Sequence, residues 1–480
     1  MTKCPVVECQ VGSPIVEELV PAPNAEGAFL KLVGRPHCLF LDSARRDPLL
    51  GRYSFVTADP FEFIERPAGV TGALRPLVER LAKFPSHTVH GLPPFQGGAA
   101  GLFSYDLGRQ LERLPAPRCD EFQTPALAVG LYDVVLAFDH AENRAWIVSQ
   151  GWPETDAAAR AWRAQDRLRQ FQAWLSARSP GEHSAIDGRR MLGDLTRAEL
   201  APQYVVPNHD GLTSNFSHAA YLQAVERSIE YIAAGDIFQV NLSQRLLFPA
   251  RDSAMALYLR LRRRNPATFA GFFDFGDFQI ASASPERFLQ VREGSVEARP
   301  IKGTRRRTRL PEADLFAGDE LRSSEKDWAE NVMIVDLMRN DLSRVCRPES
   351  VRVTQLCGLE SYEFVQHLVS VVRGTLDDGR RPFDLLAAAF PGGSITGAPK
   401  VRAMEIIAEL EPTARGPYCG ALGYLGFDGS LDSNILIRTI TCGRGWWQAP
   451  VGGGIVAQSS PRLEYEETWH KAEGLIRALV

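Results

Sequence analysis

Two pairs of carboxylates have a spacing that can do chemistry. Asp327 and Glu330 lie in SSEKDWAENVMIVDLMRNDL, and Glu464 and Glu467 in PRLEYEETWHKAEGLIRALV, each pair at i, i+3. On a helix that interval puts both members on one face. Carboxylates without histidine or cysteine suit a hard cation, and Mg2+ usually takes one or two of them with waters and substrate oxygens. Either pair alone is more often a solvated helix face. Asp327 also stands three residues after Ser324, the interval of a capping box. The weight comes from the segments around the pairs. VGGGIVAQS, with Gly452, Gly453 and Gly454, leads into the second pair, and glycines let backbone N–H groups approach an anion closely. PGGSITGAPK precedes another helix and can bring Thr396 and backbone donors to an anion, but it lacks P-loop spacing. NILIRTI sets Arg438 in an apolar strand, where a guanidinium either meets a ligand carboxylate or points outward from an edge.

Helices are needed to hold the pairs. Pro461 suits the first turn of a helix over 461–479, in which Trp469, Ala472, Ile476 and Leu479 form an apolar stripe beside one of Glu464, Glu467 and Lys471. Trp328, Val332, Val335 and Leu342 give the expected buried stripe of a helix over 324–344. Further helices are expected at 156–177, with Trp162, Leu168, Phe171 and Leu175 at helical spacing, from Ser217 to Ala234, and at 382–390 and 398–410. Strands are read in LAVGLYDVVLAFD, IFQVNLSQRLLF, FQIASAS and LVSVVRGTL, among others. Strands and helices do not alternate strictly and several turns are short, so the expected class is α+β, large mostly antiparallel sheets packed as a sandwich with helices outside. The expected divisions are a sheet-rich half at 1–178, a polar, partly mobile connector at 179–216 and a second half at 217–480.

The chain has 480 residues, 45% hydrophobic and 23% charged, enough for a large core. A net charge of -4 supplies no general field for nucleic acid or an anionic membrane, so a small anion has to be met by local donors. The basic stretch RPIKGTRRRTR stands alone and lacks the aromatic residues of a nucleic-acid surface. Eight cysteines without a Cys-x-x-Cys unit, no signal-peptide pattern and no membrane-length apolar run lead to the expectation of a reduced, cytoplasmic protein.

DIFQVNLSQR, SPERFL, RPIKGTRRR, EKDWAENVMIVDLMRNDL, HLVSVVRG, PGGSITGAPK, GYLGF, IRTI and GGGIVAQSSP follow one another in this order. Together they resemble the chorismate-utilising enzymes, a family that includes anthranilate synthase component I, aminodeoxychorismate synthase component I, isochorismate synthase and salicylate synthase. The resemblance is specific over about 217–480 and looser before it. It implies Glu330, Glu464 and Glu467 as Mg2+ ligands, with Asp327 at a position that is often Glu in the family. It implies Arg438, the Gly452–Gly454 amides, Tyr418, Thr396, Thr304 and Lys471 as groups that hold substrate or line its pocket.

The segment PIKGT divides the family. Anthranilate synthases usually carry alanine where this chain has Lys302, and the enzymes that aminate C4 carry lysine. The resemblance therefore implies that Lys302 attacks C2 of chorismate as the C4 hydroxyl leaves, and that ammonia then displaces it to give 4-amino-4-deoxychorismate, a precursor of p-aminobenzoate and folate. Such a lysine has to be deprotonated, by desolvation or neighbouring cations such as Arg299, Arg305, Arg306 and Arg307. Glu286 matches the general acid, and His367 a pocket histidine that orients substrate or assists proton transfer. Gln239 stands where the water-using members have lysine, which argues against water as nucleophile. With no glutaminase signature in the chain, a glutamine amidotransferase partner or free ammonium is expected to supply ammonia. FLDSA and GRYSF, with Ser43 and Tyr53, resemble a tryptophan pocket. Anthranilate synthase component I is the alternative activity, and a non-catalytic chorismate or tryptophan binder is the alternative of another class.

Overall fold

A strand that is apolar at every position has to be covered on both faces. LAVGLYDVVLAFD meets that demand, for Leu127–Tyr132 and Val134–Asp139 are buried throughout. The computed structural model describes residues 13–86, 88–177, 192–307, 311–361 and 365–479. Their strands form one sheet of 13 and another of 10, and the named strand pairs are antiparallel. Leu39, Phe55, Phe273 and Ile280 of the larger sheet meet Leu102, Ala128, Leu422 and Tyr424 of the smaller across an apolar layer. Helices cover the outer faces through two further apolar layers. The α+β sandwich expected from the sequence is the one observed.

Both sheets draw strands from both ends of the chain. Leu39–Asp42 pairs with Phe269–Asp274, with Phe40 opposite Phe272, and Gly98–Phe103 pairs with Ala421–Gly426. Gly98 permits the second junction: it has φ +149°, and a methyl there would lie 2.2 Å from the Leu425 carbonyl oxygen. Residues 179–191 of the expected connector lie outside the described residues. Its later part is more regular than its polar composition implied, because Tyr204–Val205 and Thr213–Ser214 continue the larger sheet beyond Gln239–Pro249. Two-residue strands are too short to leave a periodic signal. No helix among the described residues is long and apolar enough to cross a membrane.

The expected helices are found at Ala157–Ser176, His218–Ala233, Glu325–Ser343, Pro382–Ala389, Lys400–Leu410 and Pro461–Leu479. Three expectations about faces need correction. Trp162 is 67% exposed, and Arg167 is buried in its helix instead, bound to Asp59 and Asp133. Trp328 and Val332 are 42% and 40% exposed. Their helix turns inward a face containing Asn331, Ile334, Val335, Met338, Asp341 and Leu342, because two of its polar residues have interior partners. Asn331 accepts a hydrogen bond from the Ser370 hydroxyl, and Asp341 is 2.7 Å from the Lys400 ammonium. NILIRTI is not one strand: Leu431–Asn434 ends on its first residue, and Arg438 takes a left-handed φ of 53° just before Thr439–Gly443. A helix at Pro311–Ser323, whose acidic first turn and terminal arginine are ordinary helix signals, was not anticipated.

One buried ion pair joins the PGGSITGAPK loop to the sheet. Arg415 contacts Glu411 at 2.7 Å and donates to the carbonyls of Ile395 and Asn241 at 3.0 and 2.8 Å. Glu411 also accepts from the backbone and hydroxyl of Ser243, at 2.9 and 2.8 Å. Removing one partner leaves a buried carboxylate uncompensated, which costs about 3–5 kcal/mol. Arg415→Met is expected to lower unfolding free energy by an amount in that range, read as an earlier urea midpoint, whereas Arg462→Met, at an exposed position of the 461–479 helix, is expected to leave the midpoint nearly unchanged.

Candidate active site

Lys302 lies on Ile301–Arg306, where the pairing with Val365–Thr375 shifts register between Lys302 and Thr304. Gly303 fills the irregularity with φ +70°, and a methyl there would stand 3.2 Å from Asp327 Cβ. The Lys302 amine lies 3.4 Å from the Ser394 carbonyl oxygen and 3.9 Å from Glu330 Oε2. Its side chain is 14% exposed. The Ser394 hydroxyl donates to Glu286 Oε1 at 3.1 Å, so one residue of PGGSITGAPK touches both the amine and the carboxyl. Glu286 is buried, and burial pushes its carboxyl up to about 7, against the opposing effects of Lys302, Ser394 and the Ile301 backbone. At neutral pH it is therefore about half protonated.

The Glu325–Ser343 and Pro461–Leu479 helices bring the acidic residues to this lysine. Glu464 is 4% exposed; its Oε1 accepts from Ser459 at 2.6 Å and lies 3.5 Å from Lys326, while its Oε2 is buried without a partner. Glu467 is 2.5 Å from Lys471, which also donates to the Gly452 carbonyl at 3.0 Å. Burial raises the Glu330 pKa, with Lys302 and Lys326 opposing and Asp327 and Glu467 assisting. Burial pushes Glu467 in the same direction, but Lys471, Lys326 and Lys302 outweigh it and hold that carboxylate below its ordinary value. Asp327 turns elsewhere: it lies 3.5 Å from Arg305, and its backbone N–H donates to Ser324 at 3.3 Å.

Among the described residues, no three metal-ligating side chains stand together as they are placed. Glu330, Glu464 and Glu467 each have an ammonium beside them instead. Their chemistry still fits a hard divalent cation, since the donors are carboxylates from two facing helices and one buried oxygen has no partner. Gly453 keeps the adjoining space open, for a methyl there would reach 3.4 Å from Glu464 Oε2 and from Glu467 Oε1.

The remaining expected site residues fall into place unevenly. Gly452, Gly453 and Gly454 belong to the Trp446–Ile455 strand, opposite Ser243, Leu242 and Asn241. Gln239 is fully buried with neither amide atom partnered, and a methyl at Gly454 would lie 2.5 Å from its nitrogen. Thr396 is buried and turns its hydroxyl back to the Gly392 carbonyl at 3.0 Å. Arg438 donates to the Lys471 carbonyl at 2.5 Å. Burial lowers its pKa, with Tyr418 and Glu467 opposing, which places all three in one electrostatic neighbourhood. Tyr418 is itself buried, 5.8 Å from the Arg415 guanidinium at its ring. His367 pairs with Thr304 across the strands; burial lowers its pKa to about 4, so its imidazole is neutral near pH 7. The Thr304 side chain lies outside the described residues. Ser43 and Tyr53 line a different cavity with Leu41, Arg287, Tyr424 and Asp432, and the Ser43 hydroxyl donates to the Tyr53 carbonyl at 2.6 Å.

Sequence reasoning missed Lys326, Ser394 and Ser459. Only Lys326 carried a local signal, the i, i+4 interval to Glu330. The serines lie in segments already singled out, but their roles come from contacts between distant segments.

Residues 56–477 match the family described as chorismate binding enzyme. The chain is 42% identical to anthranilate synthase component 1 of Thermus thermophilus, over 85% of this chain and 82% of that one. It is 38% identical to aminodeoxychorismate synthase component 1 of Klebsiella aerogenes, over 97% of this chain and 99% of that one. The solved structure of anthranilate synthase component I from Streptococcus pneumoniae TIGR4 superimposes with a TM-score of 0.74 at 31% identity, covering 90% of this chain and 94% of the other.

The raised Glu286 value has a thermodynamic consequence. A carboxyl whose pKa is about 7 when folded and 4.5 when unfolded makes the fold lose stability as pH rises between those values. Glu286→Gln, which has no carboxyl to ionise, is expected to become more stable relative to the unsubstituted protein from pH 5 to pH 8. The relative gain is on the order of 2 kcal/mol, measured by urea unfolding at each pH. A pH-independent difference would show that Glu286 ionises normally.

Proposed function

The chain belongs to the chorismate binding enzyme family, and we propose that this chorismate-utilising enzyme aminates C4 of its substrate, yielding 4-amino-4-deoxychorismate. The observation that carries this reading is the Lys302–Ser394–Glu286 arrangement: a largely buried amine and a carboxyl near neutrality, held by the carbonyl and hydroxyl of one residue. A nucleophile and a general acid are what displacement of the C4 hydroxyl needs. The Lys302 amine, once neutral, bonds to C2 as both ring double bonds shift and the C4 hydroxyl leaves with a proton from Glu286. Ammonia bonds to C4 in the second displacement, and the C2–Nζ bond breaks to release the lysine. His367, neutral near pH 7, can orient the substrate by hydrogen bonding.

Glu330, Glu464 and Glu467 would hold Mg2+, with Asp327 set back against Arg305. The ion supplies positive charge for a substrate carboxylate. Arg438 and Lys471 are the protein cations for the dianion, and Gln239 offers both amide atoms to a ligand. The component 1 designation of the relatives supports a second subunit here, a glutamine amidotransferase delivering ammonia. Tryptophan is the proposed occupant of the cavity beside Ser43 and Tyr53.

Anthranilate formation is the second reading, because relatives bearing that name are as similar as those named for C4 amination. Incubation with chorismate, Mg2+ and ammonium, followed by mass spectrometry, separates the two. The expected product is 4-amino-4-deoxychorismate; anthranilate with pyruvate would establish the alternative. Lys302→Ala is expected to slow C4 amination by at least about 100-fold, while Mg2+ binding, read by calorimetry, persists. Undiminished amination by that variant would exclude the covalent route.

A further inference from the structure

The three acidic residues at the centre of the site are balanced one for one: Glu330 by Lys302, Glu464 by Lys326 and Glu467 by Lys471. The three lysines differ in how firmly they are held. Lys302 is 14% exposed and donates to the Ser394 carbonyl, and Lys471 is 32% exposed and donates to the Gly452 carbonyl. Lys326 is 47% exposed, lies at the start of its helix and meets Glu464 Oε1 at 3.5 Å. The Glu464 carboxylate it faces is buried, is also bound by Ser459 and keeps Oε2 unpartnered. A long, half-exposed lysine beside a fixed, incompletely satisfied carboxylate can leave at little expense once another cation meets that carboxylate, since its ammonium has solvent to go to.

We propose that Lys326 is the exchangeable counter-cation of this site, balancing Glu464 before a divalent cation enters and withdrawing to solvent when it does. The proposal rests on the reading that Glu330, Glu464 and Glu467 hold that cation. The charge balance gives Lys326 its role. A divalent cation added alone to three matched pairs leaves two uncompensated positive charges, and a dianionic substrate added alone leaves two negative ones. Withdrawal of one ammonium reduces the first excess, so Lys326 opposes metal in the empty site and relents as the site fills. It is a positioning residue for the cation and need not touch the reacting ring.

Mn2+ serves as the probe, with its free concentration followed by electron paramagnetic resonance at constant ionic strength and without substrate. Lys326→Met is expected to bind Mn2+ on the order of five- to tenfold more tightly than the unsubstituted protein. Lys326→Arg, which keeps the charge, is expected to stay near the unsubstituted affinity. The increase in Mn2+ affinity produced by saturating chorismate is expected to shrink in Lys326→Met. Glu464→Gln separates the two layers of the argument. If it loses Mn2+ while Lys326→Met binds no more tightly than the unsubstituted protein, the exchange role is overturned and the metal site stands. If Glu464→Gln retains full Mn2+ affinity, the metal site itself is wrong and the role of Lys326 falls with it.

Discussion

The site depends on burying like charges together. Carboxylates brought from two helices into a partly desolvated space repel one another, and none is tolerated there without a counter-charge. The chain supplies that counter-charge from three separate places: a strand before the Glu325–Ser343 helix, the first turn of that helix, and a position one turn beyond Glu467. Each ammonium also has a second relation, to a carbonyl or to solvent. The structural need for neutrality is met by side chains that arrive from separate segments.

That electrostatic arrangement is held by less conspicuous parts of the fold. The Arg415–Glu411 pair fixes the loop containing Ser394 against the Gln239–Pro249 strand, and Ser394 in turn touches Lys302 and Glu286. The glycines at 452–454 leave room beside the carboxylates while remaining in a paired strand. Positions outside the Lys302–Glu286 arrangement therefore set the distances within it.

Much of this was legible in the sequence because it is local. The helices carrying Glu330, Glu464 and Glu467 are long and periodic, and the C-terminal one runs from Pro461 to Leu479 as expected. What was not legible depends on contacts between segments. Trp328 and Val332 seemed to be core residues until the interior partners of Asn331 and Asp341 turned the helix. Arg438 seemed to be a strand residue, although its left-handed backbone sets it between two strands and against Lys471. Apolar periodicity reports which residues can be buried. It does not report which polar residue will claim the interior first.

The shared sheets also shape the chain's synthesis. Leu102 waits for Leu422, 320 positions later, before its strand gains that neighbour. At ~5–20 residues per second, translation of that interval takes about 16–64 s. During this time Gly98–Phe103 can fold against its earlier neighbour, as Leu39–Asp42 can until Phe269–Asp274 is made, but each meanwhile presents one open, largely apolar edge. Such edges are templates for pairing with another chain. The architecture that encloses the site thus makes the nascent protein vulnerable to aggregation for most of its time on the ribosome.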